Sequence, residues 1–357
     1  MKRVMIAMSG GVESSVAAAL LLKQNYQVCG VTMRLFGDES LALYDQERLS
    51  FSREDLENAR ELAHRCDFKH YVFNFSSAFH GEVVTRLTDG YLKGLNPNPC
   101  IFCNRYIKYG ELLRRAVLMK MDYLATGTYA RIEYDDNRKR WLLKKAAQIQ
   151  ADQSYMLYFL RQEQLSRLLF PLGELSQEEI FKMADELQGV NSQKKDGEYV
   201  CFVRDGDYAG FLEKTMGLHP RSGNFTDRDG NVLGEHKGLI HYSVGQRKGI
   251  GISFDEPHYV LEKDIFSNTV ILGEKKHLYT GGMTLEDVNF ISVDKLDKPM
   301  EVTVKKRVKG KEYPAMISPL ANGKVQLEFK KPQKNVPAGQ ALVFYDGDTV
   351  VGGGTAI

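Results

Sequence analysis

The sequence lacks the features that mark membrane and secreted proteins. No apolar run in its 357 residues approaches the ~20 residues that a helix needs to cross a bilayer. The N-terminal MKRVMIAMSGG passes from a short apolar strand into a glycine turn, without the longer apolar segment and cleavage site of a signal peptide. The five cysteines are odd in number and scattered, which argues against a disulfide framework and for a reducing compartment. We therefore expect a cytoplasmic protein without a membrane partner.

An excess of charge of one sign is absent as well. The chain has 48 Lys and Arg against 46 Asp and Glu, and a formal net charge of +2 does not by itself require a nucleic-acid partner. Cations nevertheless gather near the C-terminus, in VKKRVKGK (304–311) and FKKPQK (329–334). Such runs are common on solvated surfaces, and the alternative is a surface that follows the phosphates of a nucleic acid. Composition leaves both interpretations open.

Strands and helices alternate in the first half of the chain. The segments RVMIAM, QVCGVTM, KHYVFNF and DYLATGTYARI predict strands, whereas ESSVAAALLLKQ, EDLENARELAHRC and IKYGELLRRAVLMK carry apolar residues at helical spacing. This alternation is typical of β-α-β units in a doubly wound, mostly parallel α/β sheet. In such sheets, ligands bind at the carboxyl ends of the strands.

The second half of the chain changes character. Residues 162–189 have a helical pattern, the chain becomes glycine-rich and strand-like after about residue 205, and short alternating strands follow from residue 300. Asn322-Gly323 and Asp346-Gly347 are hairpin turn signals, and a meander of this size closes into a barrel or a sandwich. We predict a catalytic domain (1–203), a small central domain (204–275) and a C-terminal β-barrel (276–357).

The stretch MSGGVESS (8–15) follows the first strand and opens the first helix. Its glycines let backbone N–H groups approach an anion, and the helix N-terminus adds unpaired donors and the positive end of its dipole. The Gly-Lys-Ser/Thr ending of the Walker A loop is missing, as is the third spaced glycine of the dinucleotide fingerprint. The stretch therefore predicts a cradle for phosphate or pyrophosphate, and a plain strand-to-helix turn is the alternative.

Three cysteines stand in segments suited to chemistry. Cys100 and Cys103 lie in NPNPCIFCNRYIKYG, after a proline-stiffened loop, and Cys201 lies far downstream in GEYVCFVRDGDYAGF. Two cysteines three apart suit a metal site, a redox pair or a nucleophile. A thiol beside cations at the start of a helix has a lowered pKa and becomes nucleophilic. Arg105 and Lys108 are the cations in this position.

Taken in order, the segments resemble a known family. SGGVES is similar to the SGGxDS pyrophosphate loop of the N-type ATP pyrophosphatases, which activate a substrate oxygen as its adenylate. The resemblance extends over nearly the whole chain, through NPNPCIFCNRYIKYGELL, DYLATGTYARI, ADQSYMLYFL, CFVRDGDYAGF, HYSVGQRKGIGI, YVLEKDIFSNTVILG and PAGQALVFYDGDTVVGGG. Together these segments resemble the bacterial tRNA-specific 2-thiouridylases.

The resemblance implies ATP-dependent replacement of the C2 oxygen of a tRNA wobble uridine by sulfur, with Mg²⁺ accompanying ATP. It implies that ATP is bound by Ala7, Met8, Ser9, Gly10, Gly11, Val12, Glu13, Ser14, Met33 and Gly127. It places the target base and the tRNA against Asn98, Pro99, Cys100, Thr128, Ala151, Asp152, Gln153, Arg307, Val308 and Gln340. The basic barrel is then expected to grip the tRNA, while the anticodon loop presents its uridine.

Three positions outside the cysteines depart from the family's pattern. Glu13 replaces the usual Asp of the pyrophosphate loop, Thr128 stands where TGHYAR has His, and Ala151 stands where a Lys commonly precedes Asp-Gln. The longer side chain of Glu13 keeps its charge but moves the carboxylate outward by about one bond length, which affects Mg²⁺ geometry. The other two changes remove polar groups expected near the substrate, so they bear on the tRNA contacts rather than on the fold.

More than one sulfur-transfer scheme stays open. In the family's usual scheme Cys103 is the nucleophile, and Cys201 carries a persulfide received from a sulfur relay protein. Many relatives have Asp where this chain has Cys100. Three cysteines would suit a second scheme, in which they hold three irons of a [4Fe-4S] cluster whose fourth iron binds free sulfide. A zinc site is a third option, but it needs a fourth ligand that we cannot name.

Two other functions are compatible with parts of the sequence. An adenylating ligase of another class would share the glycine loop, but it would not need NPCIFCN, Cys201 or a basic C-terminal domain. A diverged tRNA-binding paralogue with weak activity would account for Glu13, Thr128 and Ala151, and the intact pyrophosphate loop argues against it. Measurement of ATP binding separates the paralogue from an enzyme.

Overall fold

The computed structural model describes residues 1–36, 53–187, 200–203 and 206–357. Its strands are β1 (Arg3–Ala7), β2 (Gln27–Arg34), β3 (Lys69–Asn74), β4 (Tyr123–Ala125), β5 (Ala130–Asp135), β6 (Arg140–Lys145), β7 (Leu168–Leu169), β8 (Gly223–Thr226), β9 (Val232–His236), β10 (His258–Asp264), β11 (Thr269–Glu274), β12 (Tyr279–Phe290), β13 (Met300–Lys305), β14 (Glu312–Pro319), β15 (Val325–Lys334), β16 (Ala341–Asp346) and β17 (Thr349–Ala356). Its helices are α1 (Val12–Lys23), α2 (Arg53–Arg65), α3 (Ser76–Phe79), α4 (Thr85–Leu92), α5 (Pro99–Phe102), α6 (Leu113–Leu118), α7 (Gln162–Leu165), α8 (Gln177–Glu186) and α9 (Tyr208–Met216). The π-helical segments His80–Val84 and Cys103–Leu112 join α3 to α4 and α5 to α6. None of the helices in these ranges is both long and apolar enough to span a bilayer.

Five parallel strands form the catalytic sheet in the order β3-β2-β1-β4-β7. The central strand β1 is fully buried at Val4, Met5 and Ile6. Met5 belongs to one hydrophobic cluster, whereas Val4 and Ile6 belong to another. Apolar packing therefore covers both faces of the sheet, as a parallel sheet requires. The predicted doubly wound α/β fold is confirmed.

The strand order also fixes where a ligand belongs. The chain builds β2 and β3 outward on one side of β1 and returns on the other side with β4. The strand order therefore reverses between β1 and β4. Ligands of open α/β sheets bind in the crevice outside the carboxyl ends of the strands at this point. The loop after Ala7 and the loop after Ala125 therefore face the same crevice.

The segment DYLATGTYARI, expected as one strand, divides in the structure. β4 ends at Ala125, and β5 begins at Ala130 and pairs with β6 in an antiparallel hairpin. Thr349 of β17 pairs with Lys144 of β6, so the hairpin extends the C-terminal sheet rather than the catalytic one. The prediction of a single strand is wrong because both halves have strand character, and period-two alternation does not reveal the break at residues 126–129.

Six strands close the C-terminal β-barrel in the order β12-β15-β14-β13-β16-β17, and β12 returns to β17. Its interior contains fully buried residues such as Val304, Ile317 and Leu327. Asn322 and Gly323 both have positive φ, at 58° and 71°, which suits the hairpin turn predicted between β14 and β15. The predicted barrel is confirmed.

The central region forms a four-stranded sheet, β10-β11-β8-β9, around Phe225. The prediction of strand-like structure directly after residue 205 is wrong, because helix α9 comes first. Asp207 caps α9 by accepting the Gly210 N–H at 2.9 Å, and Gly217 ends it with φ of 61°. An Asp cap and a terminal Gly are sequence signals of helix ends, which the glycine-rich surroundings obscured.

Candidate active site

The phosphate loop after β1 joins a glycine turn to an uncapped helix N-terminus. Gly10 has φ of +78°, and a Cβ there would lie 2.1 Å from the backbone oxygen of Asp55, so only glycine fits. Gly11 precedes α1, and no side chain caps this helix end. Ser9 Oγ lies 3.4 Å from the Gly11 nitrogen and 3.3 Å from Ser14 Oγ. The uncapped helix N-terminus and the small hydroxyls are donors suited to phosphate oxygens.

The link between β4 and β5 forms the other wall of the crevice. A Cβ at Gly127 would come within 2.9 Å of the Cβ of Glu13, so the absence of a side chain lets the link touch the phosphate loop. Tyr129 donates its hydroxyl to Glu13 Oε1 at 3.3 Å. Met33 lies near the end of β2, at the same carboxyl edge of the sheet. The structure thus brings the residues predicted to bind ATP to one crevice.

A network of hydroxyl groups fastens this wall to the helix that carries the cysteines. The Tyr109 hydroxyl lies 3.2 Å from Thr126 Oγ1 and 3.0 Å from Thr128 Oγ1, and the two threonine oxygens are 2.8 Å apart. All three residues are buried, so the Thr128 hydroxyl is engaged within the protein and its predicted substrate contact stays a prediction. Because Tyr109 belongs to the helical segment that begins at Cys103, the network joins the crevice to the cysteines.

Asn98 and Pro99 define the start of the cysteine helix. The Asn98 side chain accepts the Cys100 N–H at 3.0 Å, and Pro99 occupies the first turn; both residue types favour these positions. Cys100 and Cys103 are half-buried free thiols. Cys201 is also half-buried, forms no disulfide and packs against the same hydrophobic cluster as Cys103. Charge interactions of Cys201 with both Cys100 and Cys103 show that the three thiols are neighbours, and their surroundings are called the cysteine pocket below.

Burial keeps two of these thiols protonated. It raises the pKa of Cys100 to about 12 and that of Cys103 to about 12, and the neighbouring cysteines add to both shifts. Lys108 acts in the predicted direction and lowers both values, but by less than burial raises them. Arg105 is occupied by a bidentate ion pair with Asp287 of β12. The expectation of a lowered thiol pKa is wrong for this arrangement, because the cost of burying a thiolate exceeds the help from one lysine.

The three cysteines are of the right chemical type for metal ligands, but their arrangement does not form a metal site. Within the described ranges, no three His, Cys, Asp or Glu side chains come close enough together to hold a metal ion. A zinc ion therefore finds no ligand set in this part of the chain.

Asp152 lies in the junction between the catalytic domain and the barrel. Its carboxylate pairs with Lys305 at 3.0 Å, and the two side chains are 1% and 5% exposed. Ala151 is half-buried, and Gln153 is exposed and accepts the Tyr129 N–H at 3.0 Å. The Asp152 carboxylate thus serves the junction, while the predicted tRNA contacts of these three residues stay predictions.

A basic cleft of about 430 Å³ opens in the barrel beside the junction. Four cations line it: Lys306, Arg307, Lys311 and Lys334. Among its described lining residues none is acidic. Gln340 also lines the cleft and donates its side-chain amide to the Lys306 carbonyl, whereas Val308 is half-buried against the large catalytic-domain cluster. Burial, Arg307 and Lys334 lower the pKa of Lys306. An unneutralised set of cations is suited to the phosphates of a polyanion.

Sequence reasoning found only part of this cleft. Arg307 and Gln340 were expected from the resemblance, and the two cationic runs contain Lys306 and Lys334. The runs do not distinguish these side chains from Lys305, which is buried in the junction. Charge spacing alone does not distinguish these lysines, because the distinction depends on whether the fold places an acidic residue opposite each of them.

Three family profiles match successive parts of the chain. The profile described as "tRNA methyl transferase HUP domain" matches residues 2–205. "tRNA methyl transferase PRC-barrel domain" matches residues 209–274, and "Aminomethyltransferase beta-barrel domain" matches residues 280–356. These ranges follow the order of the parallel sheet, the central sheet and the barrel.

Relatives match over almost the whole length. The tRNA-specific 2-thiouridylase MnmA of Acetivibrio thermocellus is 48% identical over 99% of this chain and 98% of its own. The protein of the same name from Clostridioides difficile is 42% identical over 99% of this chain and 97% of its own. A solved 4-thiouridine synthetase–RNA complex with bound ATP covers 54% of this chain and 42% of its own at 17% identity, with a TM-score of 0.36, too low to bear on function.

Proposed function

The chain belongs to the tRNA-specific 2-thiouridylase family, and from that membership we propose that it replaces the C2 oxygen of a tRNA wobble uridine by sulfur at the expense of ATP. The observation that carries the proposal is the coupling of two sites. Tyr109, on the helical segment that begins at Cys103, is hydrogen-bonded to Thr126 and Thr128 on either side of Gly127. An adenylating site and a sulfur site must act on one carbonyl in turn, so they must be held together.

In the first step the C2 oxygen attacks the α-phosphorus of ATP, and pyrophosphate leaves. This converts a poor leaving group into AMP. The uncapped N-terminus of α1 and the hydroxyls of Ser9 and Ser14 hold the phosphates. Glu13 is the acidic side chain of this loop that would hold Mg²⁺, which offsets the charge of the departing pyrophosphate.

In the second step sulfur attacks C2 and AMP leaves. The persulfide scheme fits the cysteine pocket better than a cluster or zinc, because the described residues there do not form a ligand set. The outer sulfur of a Cys201 persulfide adds to C2. Cys103 then attacks the inner sulfur, which frees the thiolated base and leaves a Cys103–Cys201 disulfide that an added thiol reduces. The persulfide sulfur comes from a relay protein, and free sulfide is the donor in the cluster scheme.

The barrel cleft supports tRNA as the substrate. Its cations have no acidic neighbour among the described lining residues, and the anticodon loop of a tRNA is the part that presents an unpaired uridine. We assign the tRNA contacts to Arg307 and Gln340 in the cleft and to Gln153 beside the crevice. We also propose the domain bounds 1–203, 204–275 and 276–357, and a cytoplasmic site of action, where free thiols persist.

The function is tested by incubating the purified protein with ATP, Mg²⁺, unmodified tRNA and either a persulfide donor or sulfide, without oxygen. Mass spectrometry of the nucleosides is expected to find 2-thiouridine. Binding of tRNA without binding of ATP, and without any 2-thiouridine from either donor, would favour the diverged paralogue. Pyrophosphate release without tRNA but with another nucleophile would favour an adenylating ligase of another class.

The sulfur chemistry is tested with Cys100→Ser, Cys103→Ser and Cys201→Ser. The persulfide scheme expects full loss of turnover for the last two, a trapped Cys103–Cys201 disulfide in the wild type, and retained activity for Cys100→Ser. Bound iron together with loss of turnover in all three variants would instead support the cluster. Cys66→Ser is a matched control, because Cys66 is also a half-buried free thiol but lies outside the pocket.

A further inference from the structure

The hairpin between β10 and β11 carries an exposed aromatic ring at its tip. Phe266 is 96% exposed, more than any other large hydrophobic residue in the described ranges. The turn around it is well built, because Asp264 accepts the Phe266 N–H at 2.9 Å and the Ser267 hydroxyl at 2.6 Å. Asn268, with φ of 52°, donates its side-chain amide to the Ser222 carbonyl at 2.7 Å. The turn thus has a fixed backbone that presents the ring to solvent, so a ligand would not have to order this segment.

Lys263 lies on β10 just before this tip and has no acidic partner among the residues that the structure describes. Its ammonium lies 5.9 Å from the centre of the Tyr91 ring. Burial lowers its pKa to about 8, and no carboxylate of the described chain opposes that shift. A half-buried cation without an anion opposes folding. A bound anion is therefore the group that would compensate it.

The hairpin tip borders the pocket of the cysteines. Ile265 packs against Gly94, where a Cβ would lie 3.0 Å from the Ile265 Cγ2, and Gly94 lies in the segment that leads to the cysteine helix. Tyr91 stacks on Tyr208 with ring centres 5.6 Å apart. Tyr208 in turn lies close enough to Cys100 for that thiol to add to the raised pKa of the phenol. Contacts therefore run from the hairpin tip through Tyr91 and Tyr208 to Cys100, and they cross the boundary between the catalytic and central domains.

We propose that this hairpin tip is a tRNA contact, in which the Phe266 ring stacks on a base and the Lys263 ammonium binds a backbone phosphate. The inference rests on the proposed function for the identity of its ligand. Every nucleotide offers a π-face and a phosphate, and an exposed ring beside an unpaired cation complements both. Leu92 and Lys93 are exposed at the end of α4, so they extend the surface with the same two kinds of side chain.

The test measures binding of a fluorescent, unmodified tRNA transcript to the full-length protein across a salt series. Phe266→Ala is expected to weaken binding roughly tenfold or more at every salt concentration without changing the salt dependence. Lys263→Met is expected to reduce the slope of log affinity against log salt by about one unit, and Lys263→Arg to restore it. Val232→Ala, in the same sheet, and Lys276→Met, just after β11, are matched controls: Val232 is 63% exposed, and Lys276 is paired with Glu274.

Failure of this inference is distinguishable from failure of the proposed function. If the wild type binds tRNA and Phe266→Ala and Lys263→Met bind as the controls do, the inference is overturned and the function stands. If the wild type itself does not bind tRNA, both are overturned. If Phe266→Ala changes the sedimentation of the free protein and leaves tRNA binding unchanged, a second copy of the chain occupies the tip, and the RNA assignment is overturned.

Discussion

Lys305 and Lys306 are neighbours at the end of β13, yet they serve two regions of opposite character. Lys305 lies in the junction, where Asp152 neutralises it and its side chain is 5% exposed. Lys306 lines the cleft, where burial, Arg307 and Lys334 lower its pKa. Successive side chains of a strand point to opposite faces, so one step along the chain separates a structural ion pair from a cation left for a ligand. The presence or absence of an acidic partner, rather than the number of charges in the run, distinguishes the roles of the two lysines.

The junction contains a second ion pair built in the same way. Lys145 of the catalytic domain lies 2.5 Å from Glu312 of the barrel. The ammonium groups of Lys145 and Lys305 lie 4.5 Å and 5.2 Å from the centre of the Tyr345 ring. Each domain contributes one cation and one carboxylate to this network, so charges balance across the boundary. The junction therefore holds the nucleotide domain and the basic barrel in one arrangement.

The largest effect is expected from breaking the junction at Lys305. Lys305→Met leaves the Asp152 carboxylate buried without its cation, which costs about 3–5 kcal/mol of unfolding free energy. Urea unfolding followed by tryptophan fluorescence and by circular dichroism measures the loss.

A double variant separates charge from packing in this experiment. Asp152→Asn combined with Lys305→Met removes both charges while the amide oxygen still accepts the backbone N–H groups that now bond to Asp152. The double variant is expected to recover most of the lost stability. A single-variant loss below about 1 kcal/mol, in the range of exposed pairs, would contradict the contrast between junction and cleft.

In the cysteine pocket burial excludes charge, unlike in the junction and in the cleft. It raises the pKa of Cys100 and Cys103 from about 9 to about 12, so the folded chain keeps protons that the unfolded chain loses. This stability is fully present below about pH 9 and is lost as the pH rises towards 12, by about 1.4 kcal/mol per thiol for each pH unit. Unfolding midpoints between pH 8 and 10.5 measure the loss.

The double variant Cys100→Ser/Cys103→Ser provides the reference for that pH profile. Serine does not ionise in this range, so the decline above pH 9 is expected to become shallower than in the wild type. Other groups that titrate above pH 9 are common to both proteins and cancel in the difference. Identical slopes would mean that the thiols are more accessible to water than their burial indicates.

Lys306→Met is the direct counterpart of Lys305→Met, and the changes in stability that the two substitutions cause are expected to differ in sign. A lysine whose pKa is lowered in the folded state opposes folding while it is protonated, so its removal should leave stability unchanged or slightly higher. Affinity for tRNA should fall, with a salt slope smaller by about one unit. Urea unfolding and anisotropy titrations on the same preparations give both numbers. A large stability loss would assign Lys306 to the fold instead.

The fold was largely predictable because its signals are local. The turn at Gly10 and Gly11, the strand before it and the helix after it are adjacent in sequence, and each carries its own pattern of glycine or apolar spacing. The hairpin turn at Asn322-Gly323 is local in the same sense. The break of DYLATGTYARI into two sheets was not predictable, because it depends on pairing with β17, which is more than 200 residues away along the chain.

The candidate site was predictable in its residue types but not in its electrostatics. Lys108 is near Cys103 in sequence, so its effect on the thiol was foreseeable. The burial that outweighs it arises only when distant parts of the chain, such as Cys201 and Phe202, fold against the cysteine helix. Likewise, no feature of the run VKKRVKGK indicates which lysine faces Asp152, because that carboxylate comes from another domain.

The smallest effect is expected at Lys330, which shares the run FKKPQK with Lys334 but not its surroundings. Lys330 pairs with Glu301 at 2.9 Å, and the side chains are 55% and 67% exposed, so water screens the pair. Lys330→Met should change stability by no more than about 0.5 kcal/mol and leave the salt slope of tRNA binding unchanged. Lys334→Met, four residues on and in the cleft, should lower that slope by about one unit. If Lys330→Met lowers the salt slope equally, the RNA-binding surface extends from the cleft along β15. Lys330 then contributes to tRNA binding despite its pairing with Glu301.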